Sequence, residues 1–265
     1  MRTTLSQGCL GLCLILFFSY ISISHANDGV SVDILDVTDR GSVTDTPYVV
    51  PNQSLLIEGG YQYIFSKIDG SLYSAPQTEL ALGVNFNSEI FVLLPTYVSQ
   101  RKTFSSGFDT PSLGVKHEWI HRDHWVSSWQ GILTLSGGSD AFGHQGAGGQ
   151  CNLLTTYSMS PMFDLSSMLG ISTSTESRSA MGGRFQSFNS SIAVSFKPIE
   201  TMSFFVEMFG QTKSGYFVGS TLGADVGVLY QIARNASLDV EFAKNISSSM
   251  LYYNYYLGSG ISILF

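Results

Sequence analysis

Two kinds of residue in this chain could do chemistry: five histidines, and a set of acidic side chains that recur in phase. His121-Arg122-Asp123-His124 offers two imidazoles and a carboxylate, types that suit a transition-metal ion. The tetrapeptide falls in a hydrophilic turn with no third or fourth ligand nearby in sequence, so it reads as a solvated turn and no metal is assigned. His144 lies in a glycine-rich stretch and His25 in an N-terminal apolar segment. Ser136-Gly137-Gly138-Ser139-Asp140 lacks the Gly-x-Ser-x-Gly pattern of a nucleophile elbow. The His-x-Ser arrangement of an outer-membrane lipase and the glycine-rich phosphate loop are both missing from the sequence. Catalytic residues and cofactors are therefore read as none, and a lipase-like enzyme stands third among the functional readings.

The acidic set is more informative. Glu58, Glu79, Glu118, Glu207, Asp225, Asp239 and Glu241 all alternate with apolar neighbours, and Lys116 and Lys197 share their phase. Val240, for example, lies between Asp239 and Glu241, and Val115 precedes Lys116. Apolar and polar faces with a period of two belong to strands. Ile57, Tyr61 and Tyr63 oppose Glu58, Gly60 and Gln62; Leu113, Val115 and Trp119 oppose Ser112, Lys116 and Glu118; Ile192, Val194 and Phe196 oppose Ser191, Ala193 and Ser195. Such repetition along the chain predicts an all-β protein. Ile90 to Val98 is apolar on both faces, and Pro95 marks a bulge or strand end there.

Composition says what the apolar face meets. The chain is 44% apolar and only 12% charged, against about 25% charged in soluble domains, which points to lipid outside. Leu10 to Ile23 is an apolar run after Arg2, and Ser24-His25-Ala26 follows with small residues, so residues 1–26 read as a cleaved signal peptide. The remaining Cys151 makes no disulfide framework. A net charge of -7 argues against nucleic acid.

Short connections at Asn87-Ser88, 121–124, 160–161, 197–201 and 234–235 alternate with long ones at 66–77, 100–110, 137–149, 172–184 and 211–219. That is the pattern of an antiparallel, transmembrane, up-and-down β-barrel of the bacterial outer membrane, here with about twelve strands over residues 54–265. Residues 27–53, acidic and without periodicity, read as an N-terminal arm in the periplasm or the lumen. Trp119, Trp125 and Trp129 at one rim, and Tyr252, Tyr253 and Tyr255 at the other, fit interfacial aromatic girdles. The closing strand ends on Phe265, an aromatic of the sort that barrel-assembly machinery reads as an assembly signal.

Asp39-Arg40-Gly41 through Thr46-Pro47 and Pro51, followed by Leu56-Ile57-Glu58-Gly59-Gly60-Tyr61, resembles the start of mature proteins in the meta-pathway phenol-degradation (MetA-type) family, labelled transporters. Gly41 stands where that family has a proline, and Asp45-Thr46 where it has Glu-Ser. Met202 to Gly210 and Leu257 to Phe265 are similar to its late strands. The resemblance implies an outer-membrane barrel that passes small molecules, and it carries no catalytic motif. The leading expectation is a monomeric passive channel for small solutes, neutral or aromatic, with lipids and lipopolysaccharide around it. The named acidic residues and Lys116 would line its lumen, making an interior that disfavours anions. The alternative is a non-conducting structural or host-contact surface protein.

Overall fold

The structure, a computed structural model, describes residues 33–67, 70–85, 87–248 and 253–265. The expected signal peptide and Tyr252 lie outside them. A short helix, α1 (Ile34–Val37), precedes the strands β1 (Leu55–Ser66), β2 (Gly70–Ala75), β3 (Glu79–Val84), β4 (Ser88–Leu93), β5 (Tyr97–Gln100), β6 (Ser105–Phe108) and β7 (Ser112–Arg122). The second half holds β8 (Trp125–Thr134), β9 (Gly148–Ser160), β10 (Phe163–Thr175), β11 (Arg184–Ile199), β12 (Met202–Gln211), β13 (Thr221–Ala233), β14 (Ala236–Ser248) and β15 (Tyr255–Leu264).

These fifteen segments form one antiparallel sheet, and β15 pairs with β1 to close it. Closure runs from Leu56 opposite Leu264 to Phe65 opposite Tyr255, and Leu55 and Phe265 exchange backbone hydrogen bonds beyond it. Six segments are half-strands. β2 with β3, β4 with β5, and β6 with β7 are each one pass interrupted at 76–78, 94–96 and 109–111, so the barrel has twelve passes. Each interruption holds a proline, Pro76, Pro95 or Pro111, which has no N–H to give the ladder. The three breaks face one another, because Glu79 pairs with Leu93 and Leu93 with Ser112 on one side, and Ala75 with Tyr97 and Tyr97 with Phe108 on the other.

Connections of two or three residues, at 85–87, 123–124, 161–162, 200–201 and 234–235, mark one end of the barrel, called here the turn end; long connections mark the loop end. Two expected loops instead contain strand. Residues 66–77 contain β2, whose Gly70–Ser74 pairs with β1, and 100–110 contain β6, which pairs with β5. Their serines and glycines read as loop by composition, yet the backbone ladder continues through these segments.

The alternating faces divide as the periodicity predicts. Val226, Val240, Phe242, Ile192 and Leu169 are exposed outward, while Glu207, Asp225 and Asp239 are buried inward. Trp119, Trp125 and Trp129 are exposed on the outer face around the 123–124 turn. Tyr255 also faces outward, stacked on Phe65 at 5.2 Å. Tyr253 corrects the girdle reading. It is 9% exposed and packs inside the loop end with Tyr256 and Ala243. The strand starts only at Tyr255, so its alternation does not extend back to residue 253.

Val240 is 53% exposed on the outer face, with Glu241 next to it on the inner one. Val240→Arg should destabilise the barrel by about 2–4 kcal/mol in a bilayer, and Glu241→Gln should leave it nearly unchanged. Denaturant titration of both variants folded into lipid vesicles checks this; equal losses would contradict the assignment of faces.

Candidate functional site

The lumen is occupied by the chain's own N-terminal arm. Asp33 caps α1 by accepting a hydrogen bond from Leu35 N at 3.1 Å. Ile34, Leu35 and Val37 are buried with Val50, Leu56, Phe91, Phe205 and Leu229 in one apolar cluster. Leu229 and Phe205 lie close to the 200–201 and 234–235 connections, so this cluster sits at the turn end. From there the arm rises to Gly41–Asp45 and descends through Pro47 and Pro51 to the start of β1.

Polar contacts fix the arch to the wall nearly all the way round. Thr38 donates to Glu58 on β1, and its hydroxyl lies 2.7 Å from Ser262 on β15. Asp39 accepts from Lys116 Nζ at 2.7 Å, and Glu89 pairs with the same ammonium at 3.2 Å. Arg40 Nε pairs with Asp239 at 3.1 Å. The backbone N–H of Val43 and the Thr44 hydroxyl donate to Glu207 at 2.9 and 2.6 Å. Gln130 donates to Asp45 at 2.9 Å, Ser128 donates to the Pro47 carbonyl, and Val50 N donates to Glu89 at 2.6 Å. Lys197 pairs with Asp36 of the arm at 2.6 Å and with Asp164 of the wall at 3.5 Å.

Arg40 needs room against the wall, and two glycines supply it. Gly60 of β1 and Gly260 of β15 are register partners. A Cβ on either would overlap the Arg40 guanidinium, so their missing side chains form the slot in which it lies across the barrel closure.

Above the arch a chamber of about 440 Å³ remains, bounded by Asp39, Arg40, Glu58, Glu79, Glu241 and the loop-end residue His144 among others. The carboxylates singled out by phase thus do different things. Glu58, Glu207 and Asp239 hold the arm, as Lys116 does; Glu79 and Glu241 face the chamber; Asp225 is buried beside its register partner Glu207. Glu118 pairs with His121 at 2.8 Å near the turn end, so the His121–His124 turn is tied to the wall. Sequence reasoning missed Glu89, Arg40, Asp39 and Asp45. Glu89 immediately precedes the segment whose two apolar faces concealed its phase. The arm residues sat in a stretch read as acidic and without periodicity, although Ile34, Leu35 and Val37 carried an apolar signal there.

Burial is the main force on the Asp45 carboxyl, and Asp39 nearby adds to it; Lys116 and Gln130 oppose it. Its pKa is pushed up to about 7. The docked arm therefore holds the Asp45 proton more tightly than a released arm does. This penalty on docking is absent below the ordinary carboxylate pKa near 4 and grows as pH rises to about 7. Asp45→Asn should flatten that part of the pH dependence. Gly60→Val should expel Arg40, whereas Gly59→Val, with open space at its Cβ, should not. Limited proteolysis of the arm in the folded barrel, at pH 5 and pH 8, reads both effects; equal arm exposure in the two glycine variants would contradict the slot.

Among solved structures, the chain is similar to the NanC porin, with a TM-score of 0.55 and 10% identity over 79% of this chain and 98% of that one. It is also similar to the KdgM porin in complex with disordered oligogalacturonate, with a TM-score of 0.50 and 9% identity over 79% and 98%. At such identities the likeness shows the fold alone, a closed antiparallel barrel of the porin type. No curated protein matches. The family model described as "Putative MetA-pathway of phenol degradation" matches residues 38–265, a span that begins inside the arm at Thr38 and takes in every strand. The chain belongs to that family.

Proposed function

We propose that the protein is a small-solute channel of the outer membrane whose resting state is closed by its own arm and whose conducting state follows arm displacement. The observation that carries this reading is the arch itself: it fills the turn-end half of the lumen and leaves an open chamber above. Apart from the α1 cluster, the contacts described above are ion pairs and hydrogen bonds from hydroxyl, amide and backbone N–H groups, which water can replace; that suits a plug that is released more than a permanent core. The role is non-enzymatic. The barrel works as a monomer surrounded by lipid and lipopolysaccharide, exported through a cleaved signal peptide, and Phe265, exposed at the end of the closing strand, is the aromatic offered to the assembly machinery.

The solute follows from charge. The chamber wall carries Glu58, Glu79 and Glu241, and the wall behind the arm carries Glu207, Asp225 and Asp239. A low-dielectric wall focuses the field of such groups, so polyanions such as the oligogalacturonate named with the KdgM porin are disfavoured here. Neutral and cationic solutes fit. The second reading, a non-conducting surface barrel, draws on Phe104, which is 94% exposed at the tip between β5 and β6.

In planar bilayers the mature protein should conduct little, and deletion of residues 27–52 should raise conductance at least several-fold. Reversal potentials of the open variant should show cation preference at neutral pH, weakened near pH 4, where the carboxylates take up protons. Anion preference would overturn the acidic-lumen model; no conductance from a correctly folded deletion variant would select the surface-protein reading.

A further inference from the structure

The three interruptions in the wall mark a second way out of the chamber. In a regular strand only every other residue faces the lumen. At the interruptions, neighbours in sequence line the chamber together: Gln77 with Thr78, Leu93 with Leu94, and Asp109 with Thr110. Three adjacent passes are thus interrupted at the height of the chamber. The ladder is thin there. Leu94 N donates to the Thr78 carbonyl and Asp109 N to the Thr96 carbonyl, while Thr96 N turns to the Asp109 side chain at 2.6 Å. Pro76, Pro95 and Pro111 donate nothing.

Leu94 is the decisive side chain. β4, with Phe91 inside and Ile90 outside, ends at Leu93, and Leu94 is the first residue of the interruption in this pass. Leu94 is 40% exposed and borders the chamber. It thus lies on the chamber wall where the sheet is interrupted. Around it the outer lip is apolar and aromatic: Tyr97 and Phe108 are exposed and packed edge to face at 5.5 Å. The inner lip offers hydroxyl and carboxylate groups from Thr78, Thr96 and Asp109. Below the chamber the route to the turn end is occupied by the arm and its ion pairs to the wall.

We propose that this seam is a lateral portal, closed by Leu94, through which small uncharged aromatic molecules pass between the chamber and the hydrocarbon of the membrane. It rests on the reading of the barrel as a solute channel and gives that channel a second, sideways exit. Aromatic rings match the lip of Tyr97 and Phe108, and a single polar substituent matches the hydroxyls inside.

The test uses the full mature chain folded in lipid vesicles, with Cys151→Ser and a reporter cysteine in the chamber from Thr78→Cys. Two reagents are compared: N-phenylmaleimide, which dissolves in the bilayer, and a sulfonated maleimide confined to water. Leu94→Ala should speed the reaction with N-phenylmaleimide several-fold and Leu94→Trp should slow it several-fold, while the sulfonated reagent reacts at an unchanged rate in both. Only variants that keep the heat-modifiable mobility of a folded barrel are compared, and the two substitutions act in opposite directions, so a general loosening cannot mimic the result. Rates for N-phenylmaleimide that ignore residue 94, or that change in parallel with those for the sulfonated reagent, would overturn the portal. Conductance of the arm-deleted protein is recorded in parallel on a separate preparation. Conductance with no dependence on Leu94 overturns the portal alone; its absence together with no dependence on Leu94 overturns the channel reading as well.

Discussion

The constraint on which everything else rests is that no backbone polar group can be left unpaired in lipid. It forces β15 back onto β1, and closure fixes both the alternation of faces and the register of all twelve passes. Outward residues must then be apolar, and inward ones are free to carry charge. A barrel of this size has too few inward side chains to fill its own lumen, and the inner face is built as a binding surface for another segment. The arm is that segment. Lys116, fully buried, shows the dependence most plainly. An ammonium inside a protein is tolerated only when paired, and its partners are Glu89 of the wall and Asp39 of the arm.

The division of work between the two sides of the closure follows from this. The outer face answers to lipid alone, and single apolar side chains there are interchangeable in kind. On the inner face a glycine can matter as much as a charge. Gly60 and Gly260 contribute by lacking side chains, and Asp239 by supplying the carboxylate that Arg40 meets once it lies in their slot. The Asp39-Arg40 and Glu58-Gly59-Gly60 segments, distant in the chain, are two halves of one joint.

Much of this was legible before any coordinates. Glu241 beside Val240, or Lys116 beside Val115, declares its face, because a period of two cannot be shifted by one residue without burying charge in lipid. The twelve passes could be counted for the same reason. Tyr253 was misread because alternation holds only inside a strand, and it precedes one. The occupied lumen was not legible. Alternation says that Glu58 points inward but not whether it meets water, a solute or Thr38, and the partners lie far apart in sequence. Of the three proline breaks, only the one at Pro95 was read from the sequence. Their alignment was not, since it depends on the pairing of Leu93 with both Glu79 and Ser112.

The joint across the closure also has a meaning in time. Thr38 touches Ser262, a residue 224 positions later, and Arg40 reaches Asp239, 199 positions away. Contacts of such sequence separation are the slowest to form, since nearly the whole chain must be ordered before they return any free energy. Until β14 and β15 are in place, the slot for Arg40 has only one wall, and the arm has nowhere to dock. A docked arm is therefore a record that the barrel is complete: an unfinished sheet retains a loose, protease-sensitive N-terminal segment, and the finished one conceals it.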